Sequence, residues 1–211
     1  DITVVHSAID PTHFQHPRSR AELAATFDVD PTQPILGIAA QLIERKGHAL
    51  LFESLQMLAS RHPTAQLIVF GRGPLSESLP PLAALHGLQH RVRFAGFRAD
   101  LELWMGALDV LVHPAYTEGL GNVCLQAAAA RVPCIGSRVG GIPEAIADGI
   151  TGLLVPVGDA AALAAAIDRL LSDAPLRQRL GAAGPAYVES DFTPQIMAAG
   201  NRAVYRRLLG R

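Results

Sequence analysis

A chain of 211 residues is long enough for one large core and short of two full domains. Its apolar content of 49 % and its two cysteines argue against a disulfide framework, and a net charge of −1 gives nucleic acid or a membrane surface no general field to answer. No stretch reads as a spanning helix or a signal peptide. The chain opens at Asp1 without a methionine and runs straight into apolar sequence, so it is expected to be a piece of a longer protein.

In chain order, residues 2–5 read as a short strand leading to a polar turn at Ser7, Asp10 and Pro11. A short helix is expected over 19–27, followed by a loop holding Pro31 and Pro34. Residues 35–40 read as the first buried strand. Lys46-Gly47 follows, and residues 48–61 carry Leu50, Leu51, Leu55 and Leu58 at helical spacing. Further strands are expected at 66–70, 92–95, 109–113, 134–137 and 153–155. Helices are expected between them at 75–85, 101–107 and 122–130, with a short one opening at Gly140-Gly141-Ile142-Pro143-Glu144. Asp159 is placed to cap a helix over 160–171, whose Leu163, Ile167, Leu170 and Leu171 share a face. From 175 to 211 the chain reads as helix with a break at Asp191-Phe192-Thr193-Pro194. Cys124 and Cys134 fall in apolar stretches, as buried reduced thiols do.

Continuous apolar strands alternating with amphipathic helices predict an α/β fold, a Rossmann-like doubly wound parallel sheet covered on both faces. Glycines follow almost every strand, so several glycine loops share the carboxyl edge, where such sheets bind ligands. The most informative loop begins at Tyr116. Glu118 precedes a turn through Gly119 and Gly121 that feeds an Ala/Leu-rich helix. The first amides of a helix lack intrahelical partners and carry partial positive charge, which suits an anion. Asn122 is read as the cap of that helix. A plain strand-to-helix turn is the competing reading, and the sheet type alone gives no function.

Nine segments in register resemble one family. They are Val4-Val5-His6-Ser7-Ala8-Ile9-Asp10, Gln41-Leu42-Ile43-Glu44-Arg45-Lys46-Gly47, Gly71-Arg72-Gly73-Pro74-Leu75, Gly96-Phe97-Arg98-Ala99-Asp100, His113-Pro114, the run from Glu118-Gly119 to Gln126-Ala127, Gly140-Gly141-Ile142-Pro143-Glu144, Asp148-Gly149, and Thr151-Gly152-Leu153-Leu154-Val155. In order and spacing they are similar to the C-terminal half of the family 4 (group 1) retaining glycosyltransferases of the GT-B fold. The resemblance covers essentially the whole chain. It implies that residues 1–211 form a nucleotide-sugar-binding domain, one half of a GT-B architecture, whose N-terminal acceptor domain is not in this chain. It also implies a nucleoside-diphosphate sugar as donor substrate, transfer to an acceptor hydroxyl with retention, no cofactor, no metal and a cytoplasmic place of work. The isolated chain is then expected to be inactive.

Carried over residue by residue, Lys46 matches the family lysine that holds the donor diphosphate. Glu118 matches the first acid of the paired-acid motif, which contacts the donor sugar. These two are the expected catalytic residues. An ammonium near a helix N-terminus complements a pyrophosphate and neutralises leaving-group charge, and a carboxylate accepts from sugar hydroxyls. A solvated lysine and a loop acid are the plain readings. Gln41 stands five residues before Lys46, where the family usually has arginine; Arg45 and Arg138 are the candidates to replace that cation. Gln126 stands eight residues after Glu118, where a second acid usually holds the ribose. An amide accepts one bond and donates another where a carboxylate accepts both, a loss of about 1 kcal/mol. Phe97 and Arg98 match the base side of the donor site, with Phe97 as a core residue the alternative. The backbone at Gly121, Asn122 and Val123 is the candidate for amide contacts to phosphate, and Gly140 and Gly141 for the sugar or acceptor side.

His6, His13 and His16 lie close in sequence, but no Cys or carboxylate set completes a metal site with them, and no acidic pair is expected to hold a cation on the diphosphate. The run Tyr205-Arg206-Arg207-Leu208-Leu209 reads either as cations at a helix C-terminus or as peripheral contact with the inner membrane face carrying a lipid acceptor. No nucleic-acid partner is expected. Gln41 and Gln126 keep two other readings open: a non-catalytic nucleotide-sugar binding module, and a GT-B-fold nucleotide-sugar epimerase, against which the Gly-Gly-Ile-Pro-Glu segment counts.

Overall fold

Short runs of Ile, Leu and Val become strands where both of their faces are covered. In the computed structural model, which describes residues 2–210, β1 (Ile35–Ala39), β4 (Val110–His113) and β5 (Cys134–Ser137) are buried at every position. β2 (Gln66–Phe70), β3 (Val92–Gly96) and β6 (Gly152–Val155) complete one parallel sheet in the order β3-β2-β1-β4-β5-β6. Among the described residues nine α-helices accompany it: α1 (Arg20–Phe27), α2 (His48–Met57), α3 (Leu79–Leu85), α4 (Leu101–Met105), α5 (Asn122–Ala129), α6 (Ile142–Ala145), α7 (Ala160–Ser172), α8 (Ala174–Asp191) and α9 (Pro194–Leu208).

Alternate residues of each strand point to opposite faces, so one strand feeds two cores. Ile35, Ile68, Phe70 and Leu111 pack with Leu23, Phe27, Met105 and Leu125 on one face. Leu36, Ile38, Leu67, Val69 and Val112 pack with Leu51, Phe52, Leu163 and Ile167 on the other. The expected doubly wound, Rossmann-like α/β fold is therefore the observed one. Cys124 and Cys134 are buried free thiols. Helix starts follow their local signals. Ser19 and Glu22 form a reciprocal capping box on α1, and the Asp159 carboxylate accepts from the Ala162 amide at 2.8 Å on α7.

Several expectations need correction. Residues 2–5 form no strand: Ile2 and Val4 are 95 % and 71 % exposed, and the segment lies across the loops after β4 and β5 with no ladder to join. The helix expected over 48–61 ends at Met57, where the bonding tightens into turns, the Leu58 amide donating to the Leu55 carbonyl and the Ala59 amide to the Gln56 carbonyl. The helix expected over 75–85 divides into a 3₁₀ turn at Pro74–Ser76 and α3, whose first turn holds Pro80 and Pro81. Proline is accepted there because those amides would have no intrahelical partner. Asn122 is the first residue of α5 and not its cap; Gly121 holds the cap position with φ 79° and no side-chain bond.

Candidate functional site

The chain leaves β1 for β2 on one side and β4 for β5 on the other, so the loops after the adjacent strands β1 and β4 part and leave a crevice at the carboxyl edge. The two loops are tied together below it. The Tyr116 amide donates to the Arg45 carbonyl at 2.8 Å, and Arg45 Nη1 donates to the Thr117 carbonyl at 3.2 Å. Gly47 permits this approach. It has φ 74°, and a Cβ there would lie 2.0 Å from the Pro114 carbonyl oxygen. Lys46, carried at the end of the preceding 3₁₀ turn, is thereby brought onto the Glu118 loop.

Lys46 is buried to 8 % exposure and its Nζ forms an ion pair with Glu118 Oε2. The same oxygen accepts from His113 Nε2 at 2.9 Å, and Oε1 accepts the Gly119 amide at 3.1 Å. The hydrogen bond from His113, with the bond and charge of Lys46, holds the Glu118 carboxyl down to about 2 against the desolvation that would raise it. Behind the cluster His48 is buried with both ring nitrogens unpartnered among the described residues. Burial, then the charges of His113 and Lys46, lower its pKa to about 4. Gly140 and Gly141 support the loop from behind. A Cβ on Gly140 would meet the Glu118 carbonyl oxygen at 1.9 Å, and the Gly141 amide donates to the Gly119 carbonyl at 2.5 Å.

Nine of the expected site residues gather in two adjoining clefts. Lys46, Glu118, Gly121, Asn122 and Val123 line one of about 310 Å³. Gln41, Phe97, Arg98, Gln126 and again Val123 line the other, of about 350 Å³. Ala39 at the end of β1 and Val123 in the first turn of α5 border both. Phe97 is 61 % exposed, which removes the alternative of a core residue. Arg98 is held by Asp100 through two bonds of 2.8 Å, and Asp100 also accepts from Trp104 Nε1 at 3.0 Å.

Sequence reasoning missed three residues. Arg72 lines the second cleft with its guanidinium 5.0 Å from the Phe97 ring centroid, and His113 and Ser7 line the first. The glycines flanking Arg72 after β2 were the available signal for the first, and a histidine ending the apolar run of β4 for the second. Neither Arg45 nor Arg138 lines either of these two clefts; Arg138 is paired with Asp148 at 2.7 Å. The sequence does contain one Asp-x-Asp pair, Asp28 and Asp30. It lies at the opposite edge of the sheet, where the Asp30 amide bonds the side chain of Gln66 at the start of β2 and Asp28 pairs with Arg93. His6 is bonded to Glu144 and stacks on Phe192. Among the described residues no three His, Cys, Asp or Glu side chains cluster as metal ligands.

Residues 19–187 match the family described as glycosyl transferases group 1. The lipopolysaccharide core biosynthesis glycosyltransferase LpsE of Rhizobium meliloti is 34 % identical over 169 residues, which are 80 % of this chain and 48 % of that protein. The GDP-mannose-dependent monoacylated alpha-(1-6)-phosphatidylinositol monomannoside mannosyltransferase of Corynebacterium glutamicum is 32 % identical over 202 residues, 90 % of this chain and 52 % of that one. The structure of a sucrose-phosphate synthase from Thermosynechococcus elongatus superposes with a TM-score of 0.85 at 29 % identity, over 98 % of this chain and 52 % of that one. The chain spans about half the length of the curated relatives it matches. The Rossmann-like sheet of the GT-B type, the loops paired at its switch point and the match over most of its length together make this chain a member of the group 1 glycosyl transferases.

Proposed function

We propose that the two clefts together bind a nucleoside-diphosphate sugar, and that the chain is the donor half of an enzyme that transfers this sugar to an acceptor hydroxyl with retention and without a metal. The observation that carries the reading is the Lys46–Glu118–His113 cluster at the switch point, opening through Ala39 and Val123 into a cleft edged by an exposed aromatic ring. The diphosphate lies against Lys46 and the first turn of α5. The base lies toward Phe97 and Arg98, the ribose toward Gln126, and the sugar against Glu118. When the bond from the anomeric carbon to the diphosphate oxygen breaks, its electron pair stays on the diphosphate. Lys46 and the partial charge of the α5 N-terminus then stabilise that oxygen, as a divalent cation would. Lys46 has three donors and gives one to Glu118, so two remain for phosphate oxygens.

The acceptor groups come from an N-terminal acceptor domain that completes the GT-B enzyme. The exposed Tyr205, Leu208 and Leu209 at the end of α9 suit contact with it. No helix among the described residues is long and apolar enough to cross a membrane. We place the enzyme in the cytoplasm, with Arg206 and Arg207 near the inner membrane face. Titration calorimetry with UDP, GDP and ADP tests the donor site. One diphosphate is expected to bind at least about tenfold tighter than its nucleoside, with no change on adding EDTA. Strict magnesium dependence would overturn the metal-free mechanism, and absence of binding by all three would overturn the site. Retention is read from the anomeric configuration of the product made by the full-length protein. Gln41 and Gln126 share the second cleft, and this supports a non-catalytic binding module as the second reading. Diphosphate binding without any transfer by the full-length protein would favour it.

A further inference from the structure

We propose that His113 is a positioning residue for Glu118: its Nε2–H fixes carboxylate oxygen Oε2, so that Oε1 is presented to a hydroxyl of the bound sugar. This rests on the reading of the clefts as a sugar-nucleotide site. β4 is buried at all four positions, and its first three residues are Val110, Leu111 and Val112. The fourth is His113, 1 % exposed. A buried imidazole costs free energy that leucine at the same strand position would not, unless it is hydrogen-bonded. Nδ1 has no partner among the described residues, and Nε2 bonds Glu118 alone. The one use of the ring's polarity is therefore Glu118, and the network assigns the proton to Nε2.

The acceptor count shows what the contact achieves. An ionised carboxylate offers about two acceptor sites on each oxygen. Oε2 takes His113 and Lys46, and Oε1 takes the Gly119 amide, which leaves one site on Oε1. Lys46 sits on a flexible stem and, with a diphosphate present, shares its charge with phosphate. His113 sits on the end of a strand paired on both sides, with β1 and β5, so its backbone is held by the sheet and not by a flexible stem. It keeps Glu118 aimed while Lys46 attends to the leaving group. The depressed carboxyl pKa, with His113 as its largest cause, agrees with this geometry.

Three variants separate positioning from packing. The side-chain nitrogen of His113→Gln reaches the place of Nε2, that of His113→Asn reaches the place of Nδ1, and His113→Leu restores an apolar strand end. Two readouts are taken on each folded variant. The first is the affinity of UDP-glucose relative to UDP and of GDP-mannose relative to GDP. The second is the titration of the Glu118 carboxyl by ¹³C NMR, which needs no ligand. The sugar-dependent part of the affinity is expected to fall about fivefold in the Leu and Asn variants and to stay within about twofold in the Gln variant, with diphosphate binding nearly unchanged. The Glu118 titration is expected to move up by about one pH unit in the Leu variant and to stay low in the Gln variant. Equal losses in all three variants, or an unmoved Glu118 titration in the Leu variant, would overturn the proposal. If the wild type binds none of UDP, GDP and ADP, the donor reading fails, and the carboxyl titration still decides whether His113 holds Glu118.

Discussion

Lys46 is where charge and geometry meet most directly at the scale of single residues. A diphosphate must lose much of its hydration to sit against the α5 turn, and backbone amides supply only partial charges. Gln41 brings no cation to the second cleft, Arg98 is committed to Asp100, and Arg72 lies over Phe97, so Lys46 is the full positive charge of the first cleft. Removing a charged hydrogen bond to phosphate costs about 1.5–3 kcal/mol, roughly ten- to a hundredfold in affinity. Lys46→Ala is therefore expected to weaken diphosphate binding by that factor and to leave nucleoside binding as it was. Calorimetry on both ligands checks this, and unchanged diphosphate affinity would move the phosphate site elsewhere.

At the scale of elements, one carboxylate ties four of them together at the edge of the sheet opposite the clefts. Asp109, just before β4, accepts from the Ile35 amide at 2.8 Å and from Arg20 Nη2 of α1 at 2.8 Å, and lies 3.8 Å from Arg177 Nε of α8. Arg20 also reaches the carbonyls of Pro31, Gln33 and Ala107. Removing the acid leaves the Ile35 amide without its acceptor and takes the countercharge away from Arg20 and Arg177, for which a loss of about 2–3 kcal/mol is expected. Asp109→Ala should lower the denaturation midpoint by the corresponding amount and leave diphosphate affinity within about twofold of the wild type. A large change in affinity would show that the two edges are coupled. Asp109 was legible only as the first residue of a strand. Nothing local in the sequence marks Arg20, 89 positions away, as its partner.

At the scale of the whole molecule, the cluster behind the clefts makes stability depend on pH. His48 titrates near 6.5 when unfolded and near 4 in the fold. Between those values the unfolded chain takes up a proton that the folded chain refuses, so stability is full above about pH 6.5 and is lost as pH falls toward 4, by up to about 3 kcal/mol. Glu118 acts with the same sign lower down. Its folded pKa of about 2 lies below the unfolded value of 4.5, so its contribution is lost between those two values on acidification. Denaturation midpoints measured from pH 7 to pH 4 should fall for the wild type and stay nearly level for His48→Leu. A parallel fall in both proteins would show that the slope arises at other groups.

What the sequence determined by itself was whatever is written in local order. Apolar runs bounded by glycine, proline and caps placed the six strands, Asp159 and the start of α7, and the glycine loop before α5, because period, propensity and capping act within a few residues. The spacing of Lys46, Glu118 and Gln126 marks the clefts through resemblance alone. Tertiary structure alone decided which residues touch. Residues 2–5 have strand chemistry and make no strand, since the fold lays them across the loops after β4 and β5 and not along a strand. His113 looks like an odd residue at the end of an apolar run, and only the loop that folds back five residues later gives its ring a carboxylate. Lys46 and Glu118 are 72 positions apart, and they meet because β1 and β4 are neighbours in the sheet and Gly47 has no side chain to hold their loops apart.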